Sequence, residues 1–337
     1  MGSAMSYPAS DNGHEVRLVG TPLDREIIDE AAKTGMHKNL KRKLPAGIKY
    51  FQIEDMDKAL ADADLLIGGV SSLGVDWFIE KVLPALPGDL PVLSVTKGML
   101  DTPDGELIPF PWLYRSKLGN KKNSLNAVGG PCTSYELADH DQTEVCFCGD
   151  DIALLRQFKS WLGTSYYHIS LSTDVMGVEC AVALKNAYAL GVSLAIGLAE
   201  KLEGGEGKLH YNSQAALFGQ SVKEMRGILA LYGGLDENII LGAGDLYVTI
   251  FGGRTRLVGT LLGKGVPIEK AMEQLKGITL ESIVIAKRTA AAIRKQIAQN
   301  KASADAFPLL LHIDDIISNG AAVNIPWEKF ESETEKT

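Results

Sequence analysis

Lys185 is the residue whose setting most needs a physical explanation. With Asn186 it interrupts Val178 to Leu202, a stretch of helical spacing dominated by Ala, Val, Leu, Ile and Gly. A buried ammonium is costly to leave unpaired, so this lysine must reach water along its stem, find a carboxylate, or titrate low. The last two outcomes would make it a general acid or base. Asp245 lies in the glycine-rich turn Gly242-Ala243-Gly244-Asp245-Leu246, where an aspartate commonly serves as a helix N-cap. Arg254 and Arg256 open a helical segment. There a guanidinium can clamp a phosphate bidentately with backbone amides assisting, or simply lie solvated. Lys97, in Thr96-Lys97-Gly98, reads by itself as a surface turn residue.

The four cysteines are Cys132, Cys146, Cys148 and Cys180. Cys146 and Cys148 form a lone pair with one residue between them. Metal sites usually repeat a two-residue gap in paired clusters, so no metal is expected, and buried thiols in a reducing cytoplasm are the favoured reading.

Two kinds of element must position these residues. Through the first half, strands and helices alternate. Glu15 to Val19 is a strand, Asp24 to Thr34 a helix, Leu65 to Val70 a strand, Val75 to Leu86 a helix and Leu90 to Val95 a strand. Ser124 to Val128 and Glu144 to Cys148 add two more. Short apolar runs bounded by small or polar residues predict strands buried on both faces of a parallel, doubly wound (Rossmann) α/β sheet. From about Gly177 the spacing is helical, over Val178 to Leu202, Asn212 to Tyr232, Pro267 to Lys276 and Ser282 to Ala298. The shift predicts a nucleotide-binding domain over 1–172 and an all-α catalytic domain over 173–330, with a charged tail that frays.

The 337 residues suffice for about two domains and a full core. With 34 basic and 42 acidic side chains, the net charge of -8 argues against a nucleic-acid or anionic-membrane surface. No basic, apolar leader opens the chain. Ala187 to Ala199 is shorter than the roughly 20 residues of a membrane span, so a cytoplasmic protein without membrane insertion is expected.

The beginning of the chain is unusual. A helix-like stretch after Met1-Gly2-Ser3-Ala4 runs directly into the strand Glu15 to Val19. Such a helix normally follows a first strand and a glycine-rich phosphate loop. Gly2 would be the last glycine of a G-x-G-x-x-G fingerprint, with the first strand lacking. Omitting a central strand leaves two unpaired edges inside the sheet. The expectation is a start assigned too late by roughly ten residues, each about 3.3 Å of strand, with weak folding and poor cofactor binding as consequences.

Six blocks, colinear from Gly2 to about Ala290, resemble NAD(P)-dependent glycerol-3-phosphate dehydrogenases. They are Gly2 through Leu18, Thr96-Lys97-Gly98, Gly130 to Glu136, Asp174 to Glu179 with Ala183 to Ala187, Gly242 to Leu246 with Thr249 and Gly253 to Gly259, and Thr279-Leu280-Glu281. The resemblance implies that Lys185 is the general base for the substrate's C2 hydroxyl, with Asp245 as its partner and Lys97 polarising the carbonyl oxygen. It also implies substrate contacts from Lys97, Gly130, Cys132, Asn186, Thr249, Gly253, Arg254 and Thr255. Cofactor contacts are implied for Gly2, Ser3, Thr21, Ser71, Lys97, Ser134, Arg254, Thr279 and Glu281. A small phosphorylated substrate and a homodimer follow from the same resemblance.

Two positions depart from the family, which has Asn where Thr255 stands and Ser where Cys132 stands. Thr255 lacks the amide's fork and a thiol is a poorer donor than a hydroxyl, which puts the particular polyol phosphate in question. NAD or NADP is expected as cofactor. The strand ending Val19-Gly20-Thr21-Pro22 carries no acid for ribose hydroxyls, which tilts the choice toward NADP. Competing readings are a related hydroxy-acid dehydrogenase and a non-catalytic NAD(P)-binding module. The adjacent Lys185-Asn186 fits the first poorly, since that group spaces its Lys and Asn by three residues. The Lys185, Asp245 and Arg254 set argues against the second.

Overall fold

The computed structural model describes residues 1–204, 210–276 and 280–333. The chain forms two compact units, 1–97 with 110–179 and 98–109 with 180–337.

The first unit begins with a 3-10 turn, Gly2–Met5, that runs into α1 (Ser6–Asp11). It continues through β1 (Arg17–Val19), α2 (Arg25–Thr34) and a small hairpin of β2 (Met36–His37) and β3 (Arg42–Lys43). Next come β4 (Lys49–Phe51), α3 (Met56–Leu60), β5 (Leu66–Gly68), α4 (Val75–Trp77, prolonged by π and 3-10 turns to Ala85) and β6 (Val92–Ser94). The second unit then claims β7 (Met99–Asp101) and β8 (Leu107–Pro109). The first resumes with α5 (Phe110–Lys117), β9 (Leu125–Gly129), α6 (Ser134–Ala138), β10 (Thr143–Cys148), α7 (Ile152–Leu162) and β11 (Tyr167–Ser172).

Among the described residues the sheet is in two pieces. β1 pairs only with β4, in parallel, and the other five strands run β11-β10-β9-β6-β5. β5, β6 and β9 are parallel, as the apolar runs predict, but β10 is antiparallel to β9, so the sheet is mixed. The burial of β6 and β9 at every position reflects cover on both faces. Leu93, Val128, Val145 and Phe147 pack with Leu155, Phe158 and Leu162 of α7 and with Ala4 and Met5 of the first turn. Truncating a fully buried Phe such as Phe158 costs about 3–5 kcal/mol. A smaller core of Tyr7, Ala31, Leu44, Ile48 and Ala138 serves β1 and β4.

The second unit is helical apart from the β7–β8 hairpin. It is built from α8 (Val175–Glu203), α9 (Tyr211–Leu231), α10 (Ile239–Ile250), α11 (Gly253–Gly263), α12 (Ile268–Gln274), α13 (Glu281–Ala298) and α14 (Pro308–Asn319). Asp174 accepts from the N–H of Gly177 at the start of α8 (2.8 Å). The helix is far longer than its most apolar stretch. By length and composition it could cross a membrane, yet 83% of its most apolar window is buried within the fold. The hairpin is tied to this unit because the Gly105 carbonyl accepts from Tyr232 Oη and Gln296 Nε2, both at 2.8 Å.

Candidate active site

In the helical unit α8 carries Lys185 and Asn186, both half-buried. Lys185 Nζ donates to Asp245 Oδ1 in a close ion pair, with side-chain exposures of 16% and 2%. Of the outcomes open to a lysine in an apolar helix, the structure therefore has the carboxylate partner. Removing one member of a buried pair strands the other, at a cost of about 3–5 kcal/mol. Asp245 differs from its sequence reading. Gly242 to Leu246 is not a turn but part of α10, so Asp245 is a mid-helix carboxylate rather than an N-cap. One turn on, Thr249 Oγ1 donates to the Asp245 carbonyl at 2.7 Å.

Gly253, Arg254 and Thr255 form the first turn of α11. Gly253 has φ +82°, a conformation that favours glycine. Arg254 is exposed and Thr255 buried. Arg256 is not merely solvated, since its Nη1 donates to the carbonyls of Ile250 (3.3 Å) and Phe251 (3.2 Å) at the end of α10. Glu281 is the first residue of α13, and Thr279 lies outside the described residues.

The sheet unit gathers its own set at the carboxyl ends of strands. Lys97 Nζ, after β6, donates to the Gly130 carbonyl after β9 at 2.6 Å. Thr96 Oγ1 donates to the Val70 carbonyl after β5 at 2.7 Å. Ser71 is exposed beyond β5, and half-buried Cys132 and Ser134 lie in the loop entering α6. Gly2 crosses β5 so closely that a Cβ on Gly69 would overlap the Gly2 backbone. Ser3 Oγ shares a 2.9 Å hydrogen bond with His37 Nε2, whose Nδ1 accepts from the N–H of Leu40 (3.1 Å). The Nε2 proton is thereby donated to Ser3, and the serine's own proton can go to a ligand oxygen. Thr21 holds the Asp24 carboxylate through its N–H (3.0 Å) and its Oγ1 (2.5 Å). Backbones in near contact beside a strand end suit the close approach of a dinucleotide pyrophosphate.

Burial explains the thiols. It pushes the Cys146 thiol up to about 12 and raises the Cys148 thiol well above its ordinary value, so both stay protonated and inert. Burial lowers the Met1 ammonium, with the Cys132 thiol opposing this. Among the described residues no group of three or more His, Cys, Asp or Glu side chains could hold a metal ion.

Sequence reasoning passed over Glu224 of α9. It is fully buried and accepts from Gln220 Nε2, Tyr188 Oη and the N–H groups of Leu309 and Leu310 at the start of α14. Burial raises its pKa to about 7 against the pull of those donors. A lone acid in an apolar helical run was the available signal.

A mixed sheet with dinucleotide-suited strand ends, and a helical unit holding a buried Lys-Asp pair and an exposed arginine in the first turn of a helix, define a Rossmann-type dehydrogenase class. The chain belongs to the NAD-dependent glycerol-3-phosphate dehydrogenase family, matching its N-terminal domain over residues 1–154 and its C-terminal domain over 174–327. It is 33% identical over 278 residues to an NADP(+)-dependent glycerol-3-phosphate dehydrogenase of Archaeoglobus fulgidus, covering 82% of this chain and 81% of that protein. It is 26% identical over 287 residues to a glycerol-3-phosphate dehydrogenase [NAD(P)+] of Bacillus velezensis, covering 84% and 79%. In fold it is similar to the Plasmodium falciparum glycerol-3-phosphate dehydrogenase structure, with TM-score 0.80 at 19% identity over 100% of this chain and 92% of that one.

Proposed function

We propose that this chain interconverts sn-glycerol 3-phosphate and dihydroxyacetone phosphate with NAD(P), and that Lys185 is the acid-base group. The observation that carries the reading is the buried Lys185–Asp245 pair in a chain of this family. When bound, the nicotinamide supplies the hydride acceptor or donor. In oxidation, neutral Lys185 takes the proton of the C2 hydroxyl as that carbon gives up its hydride. In reduction, protonated Lys185 returns a proton to the carbonyl oxygen. Asp245 orients the amine and stabilises its charged form. Arg254, with Gly253 and Thr255 in the same turn, holds the substrate phosphate, and Asn186 and Thr249 its hydroxyls. Lys97 polarises the carbonyl, and Gly130 and Cys132 are assigned to substrate contact.

Cofactor contacts are assigned to Gly2, Ser3, Thr21, Ser71, Lys97, Ser134, Arg254, Thr279 and Glu281. NADP is the preferred form in this reading. The strand end Val19-Gly20-Thr21 presents no acid, Asp24 is engaged by Thr21, and the Archaeoglobus relative is named for NADP(+). The domains are taken as 1–172 and 173–330. A cytoplasmic homodimer without membrane insertion completes the proposal, and the burial of α8 supports the last of these points alone.

The test follows NADPH and NADH absorbance after adding dihydroxyacetone phosphate to wild type and Lys185→Ala. Oxidation that vanishes in the variant establishes the reaction and its base, and the faster coenzyme establishes the preference. Bound cofactor without oxidation would overturn the substrate and direct attention to other sugar phosphates through Thr255 and Cys132.

A further inference from the structure

The Lys185–Asp245 pair depends on how closely α10 lies against α8, and one glycine governs that distance. Gly242 is one turn before Asp245, and Ala181 one turn before Lys185. A Cβ at Gly242 would stand 2.6 Å from the Ala181 carbonyl oxygen and 2.7 Å from Met225 Cε. The methionine tip can swing aside, but the carbonyl belongs to the α8 backbone and cannot. Any side chain at 242 therefore pushes the two helices apart.

A second seam joins α8 to α11. A Cβ at Gly259 would stand 2.5 Å from both the Leu190 carbonyl oxygen and Ser193 Cβ. Gly263 meets the Leu194 carbonyl and Gly197 just as tightly. Thr255 is one turn before Gly259 on the buried side of α11, and Arg254 precedes it. One helix thus carries the base and, through two glycine seams, sets the offset of its carboxylate partner and of the arginine turn. Displacements of about 1 Å at a reacting group can cost up to a hundredfold in rate.

We infer that Gly242 and Gly259 are positioning residues with separable tasks: Gly242 brings Asp245 onto Lys185, and Gly259 registers the Arg254–Thr255 turn against the same helix. The inference rests on the proposed role of Lys185. Gly242→Ala should lower kcat for dihydroxyacetone phosphate reduction by roughly tenfold or more, with KM changed by less than about twofold. Asp245→Glu alone should also lower kcat, because the extra methylene overfills the native gap. Combined with Gly242→Ala the longer acid bridges the widened gap, so the double variant should exceed both singles. Gly259→Ala should weaken calorimetric binding of sn-glycerol 3-phosphate by about tenfold while kcat at saturation stays within about threefold. Gly219→Ala, exposed on α9 with nothing near its Cβ, should match wild type.

A folded Gly242→Ala variant with wild-type kcat would overturn the inference, as would a double variant showing the product of the two single losses. If Gly242→Ala does not fold, Gly259→Ala decides, and wild-type affinity there would overturn it. A Lys185→Ala enzyme that still turns over removes the reading beneath the inference. An inactive Lys185→Ala beside an unaffected Gly242→Ala removes the inference alone.

Discussion

The two units are built differently. In the sheet unit the groups assigned to binding lie at strand ends and in loops, tied by hydrogen bonds such as Lys97 to the Gly130 carbonyl and Thr96 to the Val70 carbonyl. In the helical unit they are side chains on long helices, held by a buried ion pair and by glycine contacts over several turns. Loops and strand ends suit the capture of a ligand through its backbone-like polar edge. Rigid helices suit chemistry, where a reacting group must keep one place. Substitutions around the Lys185–Asp245 pair should therefore act on rate, and those at the Gly2–Gly69 crossing on cofactor binding.

The sharpest way to break that contrast is Lys185→Ala. It should reduce kcat by about 10²–10⁴ in steady-state assays, and a loss confined to KM would dissolve the distinction. Arg254→Ala follows, with KM for the phosphate substrate expected to rise roughly ten- to a hundredfold, the scale of charge-assisted hydrogen bonds. Because Arg254 lies in the helical unit and is assigned to binding in the proposal, the size of its kcat effect measures how far positioning and binding separate there. Gly69→Ala probes the other side. Its Cβ would overlap Gly2, so cofactor titration by fluorescence should weaken several-fold, with about 1–3 kcal/mol of stability lost in denaturant melts. Unchanged cofactor affinity would separate the Gly2–Gly69 crossing from the cofactor site.

The smallest effect is expected at Glu224, which holds structure rather than ligand. Its pKa is raised from an ordinary 4.5 to about 7, so across that window the folded chain keeps a proton that the unfolded chain releases. Stability should accordingly fall as pH rises through the window. Glu224→Gln, neutral throughout, should show a flatter Tm-against-pH profile, and parallel profiles would mean that the four donors keep Glu224 ionised.

Much of this was legible in the sequence, for identifiable reasons. α8 and α9 announce themselves by periodicity over many turns, and Lys185 by contrast with its apolar surroundings. Asp245 was misread because glycines at 242 and 244 look like a loop. Here Gly242 serves close helix packing, a tertiary demand that overrides local propensity. The β7–β8 hairpin was passed over although Thr102-Pro103-Asp104-Gly105 is a strong turn signal between apolar residues. β11 was passed over too, despite alternation along Tyr167 to Ser172, because it closes the first domain just before the helical spacing begins. The Ser3–His37 and Thr21–Asp24 bonds depend on loop geometry that periodicity does not encode. The antiparallel β10 was equally invisible, since strand direction leaves no trace in hydrophobic pattern.

The long apolar α8 also bears on how the chain is born. Several partners that cover it, Gly242 on α10, Gly259 and Gly263 on α11, and Leu309 and Ile313 on α14 beside Gly191, follow it in sequence. A ribosome releasing about 5–20 residues each second thus exposes a span-like, oily segment for several seconds before its cover is synthesised. Membrane-targeting factors and aggregation compete for it in that interval. The helix that holds Lys185 is thus exposed to diversion during synthesis, and slowed translation after residue 203 should lower soluble yield without altering the finished protein.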